Sequence, residues 1–110
     1  MPLDINGHTL PTDKEGYLVD LNDWSEDAAR ALARLDGIEL TPAHWEILHF
    51  LRSYYAEYRI IPTMRPLTKA IERELGPDKG NSRYLYRLFP DGPIKQGTRY
   101  AGLPKPPHCI

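Results

Sequence analysis

The sequence predicts an α+β domain that is mainly α. A small N-terminal β-hairpin lies on a bundle of about five helices, one consecutive pair in helix-turn-helix order, and a mobile C-terminal arm follows. Three observations carry that expectation. Asn6-Gly7 sits between two short alternating segments, a strong local hairpin signal because both residues tolerate positive φ. Helix starts and stops alternate regularly from Ser25 onward. Pro104, Pro106 and Pro107 then fix φ in the final stretch, which favours an extended polyproline-like arm. A chain of 110 residues is one domain with a modest core, expected as a body over 1–100 and an arm over 101–110.

Leu3 to Leu10 supplies the hairpin, Asp13-Lys-Glu-Gly16 a second turn, and Tyr17-Leu18-Val19 a candidate third strand. So small a sheet has to rest on helices. Asp23 and Ser25 are both credible caps for a first helix reaching about Asp36, with Ala28, Leu32 and Leu35 as its apolar stripe and Gly37 at its left-handed end. Thr41-Pro42 opens the longest and most apolar helix, a capping hydroxyl followed by proline at the first helical position. Trp45, Leu48, Leu51 or Arg52, Tyr55 and Tyr58 recur along it, which makes it the expected centre of the core.

Ile60-Ile61-Pro62 ends that helix, because the residue before proline avoids helical angles. Thr63 caps the next, with Leu67, Ala70, Ile71 and Leu75 on one face, until Gly76-Pro77-Asp78-Lys79-Gly80 stops it. Asn81 or Ser82 caps a further helix holding Tyr84, Leu85, Leu88 and Phe89, and Lys79, Arg83 and Arg87 are expected on it. That pair has the order of a DNA-reading motif, although many helical domains share the geometry without touching DNA. Ile94 to Tyr100 is long enough for two more turns of helix.

The formal net charge of −1 conceals an asymmetry. Residues 1–78 carry eight Lys/Arg against fourteen Asp/Glu (−6), and residues 79–110 carry six against Asp91 alone (+5). The basic end would steer acidic partners or RNA, unless the two halves neutralise each other within one fold. No apolar run approaches the ~20 residues of a membrane span, and the N-terminus lacks a signal-peptide pattern. A single cysteine rules out an internal disulfide framework. Together these features point to a cytoplasmic protein with no membrane contact.

Enzyme motifs are sparse. There is no glycine-rich phosphate loop, paired-cysteine metal site or nucleophile elbow. His44 and His49 are five apart with no second cluster to complete a metal site, so no metal and no cofactor is expected. The one reactive group in an unusual place is Cys109. Free thiols are usually buried, and one on a terminal arm reads either as chemistry that a partner must reach or as an incidental tail residue. Its thiolate is disfavoured by the neighbouring carboxylate and favoured by Lys105, protonated His108 and nearby arginines. A lone thiol cannot run a dithiol cycle, but it can hold one sulfur as a persulfide.

The blocks Glu15-Gly-Tyr-Leu18, Leu40-Thr-Pro-Ala-His-Trp-Glu46, Gly80-Asn-Ser-Arg-Tyr-Leu-Tyr-Arg-Leu-Phe-Pro90 and Ala101-Gly-Leu-Pro-Lys-Pro-Pro-His-Cys-Ile110 closely resemble the DsrC/TusE sulfur-carrier family. The resemblance spans essentially the whole chain in order. Two-cysteine members, which serve dissimilatory sulfur metabolism, carry a second arm cysteine eleven positions before the penultimate one, and Thr98 stands there. The single-cysteine pattern is similar to the TusE branch. The resemblance then implies a sulfurtransferase whose Cys109 accepts persulfide sulfur from a TusBCD-like complex. It would pass the sulfur toward an MnmA-like thiouridylase, for 2-thiolation of the tRNA wobble uridine.

In that role Lys105, Arg99, Arg87, Arg83 and His108 are candidate supports for the thiolate or persulfide, or contacts for an acidic partner or tRNA. Tyr84, Tyr86 and Tyr100 are candidates for a surface that receives the arm. Ordinary packing and solvation is the competing account for each. Two other functions stay open: a carrier or regulator attached to a sulfite reductase, and a nucleic-acid-binding regulator using residues 63–89.

Overall fold

The computed structural model describes residues 3–106. Strands β1 (Leu3–Ile5) and β2 (His8–Leu10) pair antiparallel with Leu3 opposite Leu10. Asn6 and Gly7 turn between them at φ 49° and 82°, both in the left-handed region. The Asp13–Gly16 turn forms as expected: the Asp13 carboxylate accepts the Glu15 and Tyr17 N–H groups. The candidate third strand is reduced to one bridge between Thr12 and Leu18, and Val19 is exposed.

Helix α1 (Glu26–Leu35) is capped by the Ser25 hydroxyl, while Asp23 belongs to a short 3-10 turn before it. Its buried face is Ala28, Ala29, Leu32 and Ala33; Leu35, expected in the stripe, points to solvent. Helix α2 (Pro42–Tyr58) opens on a reciprocal cap in which the His44 N–H meets the Thr41 hydroxyl and His44 Nδ1 accepts the Thr41 N–H. Nε2 of the same ring lies 2.8 Å from the Leu88 carbonyl, so both ring nitrogens are engaged in the fold. His49 stacks on Trp45. α2 stops before the Ile60–Pro62 breaker, because Arg59 turns left-handed at φ 58°.

Helix α3 (Met64–Leu75) buries Leu67 and Ile71, and Thr63 makes no side-chain cap bond. Helix α4 (Ser82–Leu88) is capped by Asn81. Lys79, expected on α4, lies in the turn before it and pairs with Glu46 at 2.7 Å.

The centre of the bundle differs from the expectation. α2 contributes Ile47, Leu48 and Leu51 to the core, but helix α5 (Pro93–Tyr100) is the one that packs against α1, α2 and α4. α5 suits that place because its small residues permit close approach: a Cβ on Gly97 would lie 2.8 Å from Leu51 Cδ1. The chain stays buried past the expected end of the body, through Ala101, Gly102 and Leu103. Among the described residues no helix is long and apolar enough to cross a membrane.

Candidate functional site at the root of the C-terminal arm

Helix α5 delivers the arm, and its C-terminus is closed by a six-residue cap. Gly102 adopts φ 70°, its N–H donates to the Arg99 carbonyl at 3.2 Å, and the Leu103 N–H donates to the Thr98 carbonyl at 2.9 Å. This is a Schellman arrangement, which satisfies carbonyls that a helix end otherwise leaves open. Two carbonyls beyond the reach of that motif are taken up by side chains from elsewhere. Trp24 Nε1–H donates to the Tyr100 carbonyl at 2.8 Å, and an Arg52 guanidinium N–H donates to the Ala101 carbonyl at 2.6 Å. The Arg52 guanidinium carbon lies 3.7 Å from the centre of the Trp24 ring. Partial burial lowers the pKa of Arg52 from its ordinary value.

One turn earlier, the Asp36 carboxylate collects the Tyr100 hydroxyl and the Arg99 guanidinium, and the Gln96 amide approaches it at 3.4 Å. The Tyr100 phenol is pushed well above its usual pKa, first by burial and then by donating to Asp36. Tyr17 lies against the same helix: its hydroxyl donates to the Lys95 carbonyl at 3.1 Å, and burial raises its pKa too.

The expected site residues separate into groups. Cys109 and His108 lie outside the described residues. Lys105 pairs with Glu15 in the Asp13–Gly16 turn, so the arm as far as residue 106 is drawn toward the N-terminal end. Arg99 is beside that turn, but its side chain is only 13% exposed and its charge meets Asp36. Among the described residues its buried Nε has no hydrogen-bond partner. Arg83 and Arg87 form a separate exposed patch on α4, where with Tyr84 they line a shallow depression. Tyr86 is exposed and Tyr84 half-buried, whereas Tyr100 is fully enclosed. Tyr100 therefore belongs to the core and not to a surface that receives the arm.

Position 98, which matches the second cysteine of two-cysteine members, lies inside α5, within the helix expected over Ile94 to Tyr100. Thr98 is fully buried, and its hydroxyl donates to the Ile94 carbonyl at 2.6 Å. Trp24 and Asp36 were not singled out by the sequence, and Arg52 appeared only as an alternative to Leu51 on α2. The one available signal was an arginine in register with an apolar helical stripe.

A family model described as "DsrC like protein" matches residues 4–110. The "Sulfurtransferase TusE homolog" of Haemophilus influenzae is 57% identical over 98% of this chain and 99% of its own length. The "Sulfurtransferase TusE" of Sodalis glossinidius is 51% identical, covering 98% of this chain and all of the relative. The solution structure of Allochromatium vinosum DsrC superposes over the full length of both chains, with a TM-score of 0.89 and 52% identity. The chain belongs to the DsrC-like family. The relatives bear out the expected sulfurtransferase function in sulfur relay, and the DsrC structure bears out the hairpin-on-helices fold.

Proposed function

We propose that this protein is a cytoplasmic sulfur carrier that holds one sulfur atom on Cys109. It takes that sulfur from a TusBCD-like donor complex and passes it to an MnmA-like thiouridylase for 2-thiolation of the wobble uridine in tRNA. The observation that carries the reading is the combination of near-full-length identity to TusE sulfurtransferases with a single thiol in the whole chain. The Cys109 thiolate attacks the outer sulfur of a donor persulfide. A new S–S bond forms on Cys109 as the donor's S–S bond breaks, and the donor leaves as a thiolate. No net oxidation occurs and no cofactor takes part. The reverse logic, with the acceptor's thiolate attacking the sulfur held on Cys109, unloads the carrier.

Thr98 supports the single-sulfur version. A hydroxyl buried against the Ile94 carbonyl cannot form a disulfide or trisulfide with Cys109. The basic α4 patch with Arg83 and Arg87 is exposed to an acidic partner or to tRNA, whereas Arg99 is engaged by Asp36 and Lys105 by Glu15. Incubation with a persulfide donor is expected to add the mass of one sulfur at Cys109; equal labelling of Cys109→Ser protein would sink the reading. In cells lacking this protein, wild type is expected to restore tRNA 2-thiouridine and Cys109→Ser to fail.

The 52% identity to A. vinosum DsrC favours a second reading, a carrier attached to dissimilatory sulfur metabolism. Co-purification separates the two, since a bound sulfite reductase in place of a thiouridylase selects the second.

A further inference from the structure

Gly102 is tightly enclosed by a side chain from a distant part of the sequence. A Cβ built on it would lie 2.2 Å from Trp24 Cδ1 and 2.7 Å from Trp24 Cβ. The indole therefore closes over the one residue at which the chain turns out of α5, and Arg52 stacks on that indole while holding the Ala101 carbonyl. Three parts of the chain far apart in sequence converge on the last turn before the arm. Their bonds go to backbone carbonyls, so they fix the path of the chain and not the chemistry of any side chain. Beyond the clamp, Pro104 and Pro106 restrict the backbone of the described part of the arm. A restricted chain passes a change of direction along instead of absorbing it. Over the four described residues 103–106, at the ~3 Å rise of a polyproline-like chain, a tilt of about 30° at the root displaces residue 106 by roughly 6 Å. Displacements far smaller than that disable a reacting pair.

We propose that Trp24, Arg52 and Gly102 form a clamp that sets the direction in which the arm leaves the body, making Trp24 and Arg52 positioning residues for sulfur delivery by Cys109. The proposal rests on the sulfur-carrier reading for its consequence, but not for its geometry. Two measurements separate them. Cys109 is the only cysteine, so a nitroxide on it and a second on Ser53→Cys, an exposed position on α2, report the arm's direction by pulsed electron resonance. Arg52→Met keeps much of the stem over Trp24 and loses the bond to the Ala101 carbonyl. It is expected to broaden or shift the distance distribution, and Arg52→Lys, which still donates, to restore most of the wild-type width. An unchanged distribution in Arg52→Met overturns the clamp.

The second measurement is delivery of sulfur from the polysulfide-loaded full-length protein to the thiouridylase. At equal folded fraction, Arg52→Met is expected to lower kcat about tenfold with KM unchanged, while alkylation of Cys109 by iodoacetamide stays within twofold of wild type. Unchanged kcat, or a raised KM at unchanged kcat, overturns the positioning role. If wild type itself carries no sulfur, the sulfur-carrier reading fails, and the distance measurement still decides the clamp. Trp24→Phe, which keeps a ring under Arg52 and loses the donor to the Tyr100 carbonyl, repeats both measurements should Arg52→Met fail to fold.

Discussion

The C-terminal ends of α1 and α5 use one backbone plan in two settings. Each helix stops at a left-handed glycine, Gly37 at φ 75° and Gly102 at φ 70°. Each closes with the same pair of bonds: Gly37 N–H to the Arg34 carbonyl and Ile38 N–H to the Ala33 carbonyl in α1, matched by Gly102 to Arg99 and Leu103 to Thr98 in α5. The surroundings differ. A Cβ on Gly37 would meet nothing within 4 Å, whereas one on Gly102 would run into Trp24. The motif alone is enough to end a helix. At the end that launches the arm, side chains from elsewhere bond the Tyr100 and Ala101 backbone carbonyls, whereas at the end of α1 the long-range contacts go to the Asp36 side chain.

The sharpest way to break that comparison is to add the same methyl group at both glycines. Gly102→Ala combines the left-handed strain of an L-residue, about 1 kcal/mol, with an overlap against Trp24 costing about 1–3 kcal/mol more, so urea denaturation should show a loss of about 2–4 kcal/mol. Gly37→Ala carries only the strain, and its expected loss is about 1 kcal/mol. Equal losses at the two sites would mean that Trp24 yields freely and clamps nothing.

Between those two effects lies Tyr100→Phe, which tests the contact joining the two helix ends. Removing a buried hydroxyl that donates to the Asp36 carboxylate should cost about 2 kcal/mol at neutral pH. Its pH dependence is the more specific reading. The folded-state pKa of Tyr100 is raised above the ordinary tyrosine value, by burial and then by Asp36. As pH rises past ~10 the unfolded chain therefore ionises first, and stability present below that pH is lost as it climbs toward the folded value. Wild-type melting temperature should fall more steeply than that of Tyr100→Phe between about pH 9 and 11. Tyr17, raised in the same direction, keeps some slope in the variant. Identical slopes would remove Tyr100 from the alkaline transition.

Local features were legible in the sequence and long-range ones were not. Asn6-Gly7, Ser25, Thr41-Pro42 and Asn81 each act through neighbours a few residues away, and the structure places all of them as expected. Cys109 stands out in the sequence because a sole cysteine in a proline-rich tail has no local explanation in packing, and it lies outside the described residues. Arg52 and Leu51 share a helical stripe, and periodicity cannot say which faces the core. Trp24 decides it, by offering Arg52 a ring 28 positions away in the chain. Tyr100 was left between ordinary packing and a surface that receives the arm, because nothing local marks the Asp36 carboxylate as its partner. α2 was expected at the centre as the longest and most apolar helix, and Gly97 and Thr98 give α5 little apolar area. Yet it is their small size that lets three helices approach it.

The smallest expected effect is the one at the arm's other contact. Lys105 and Glu15 are both close to half exposed, and exposed ion pairs contribute little, about 0–1 kcal/mol. Glu15→Gln should lower the unfolding free energy measured in urea only within that range, and salt should discriminate further. Raising ionic strength from ~0.1 to ~1 M shortens the screening length from about 10 Å to about 3 Å. It should therefore weaken whatever the pair contributes in wild type and leave the variant's own arm contacts unaltered. On these magnitudes the ion pair biases the arm toward the Asp13–Gly16 turn and can be released cheaply, while the clamp at Gly102 persists. If Glu15→Gln instead matched Gly102→Ala in lost stability, the anchoring of the arm would pass from the end of α5 to the turn. The contrast between the two glycine caps would then have no bearing on how the thiol is presented.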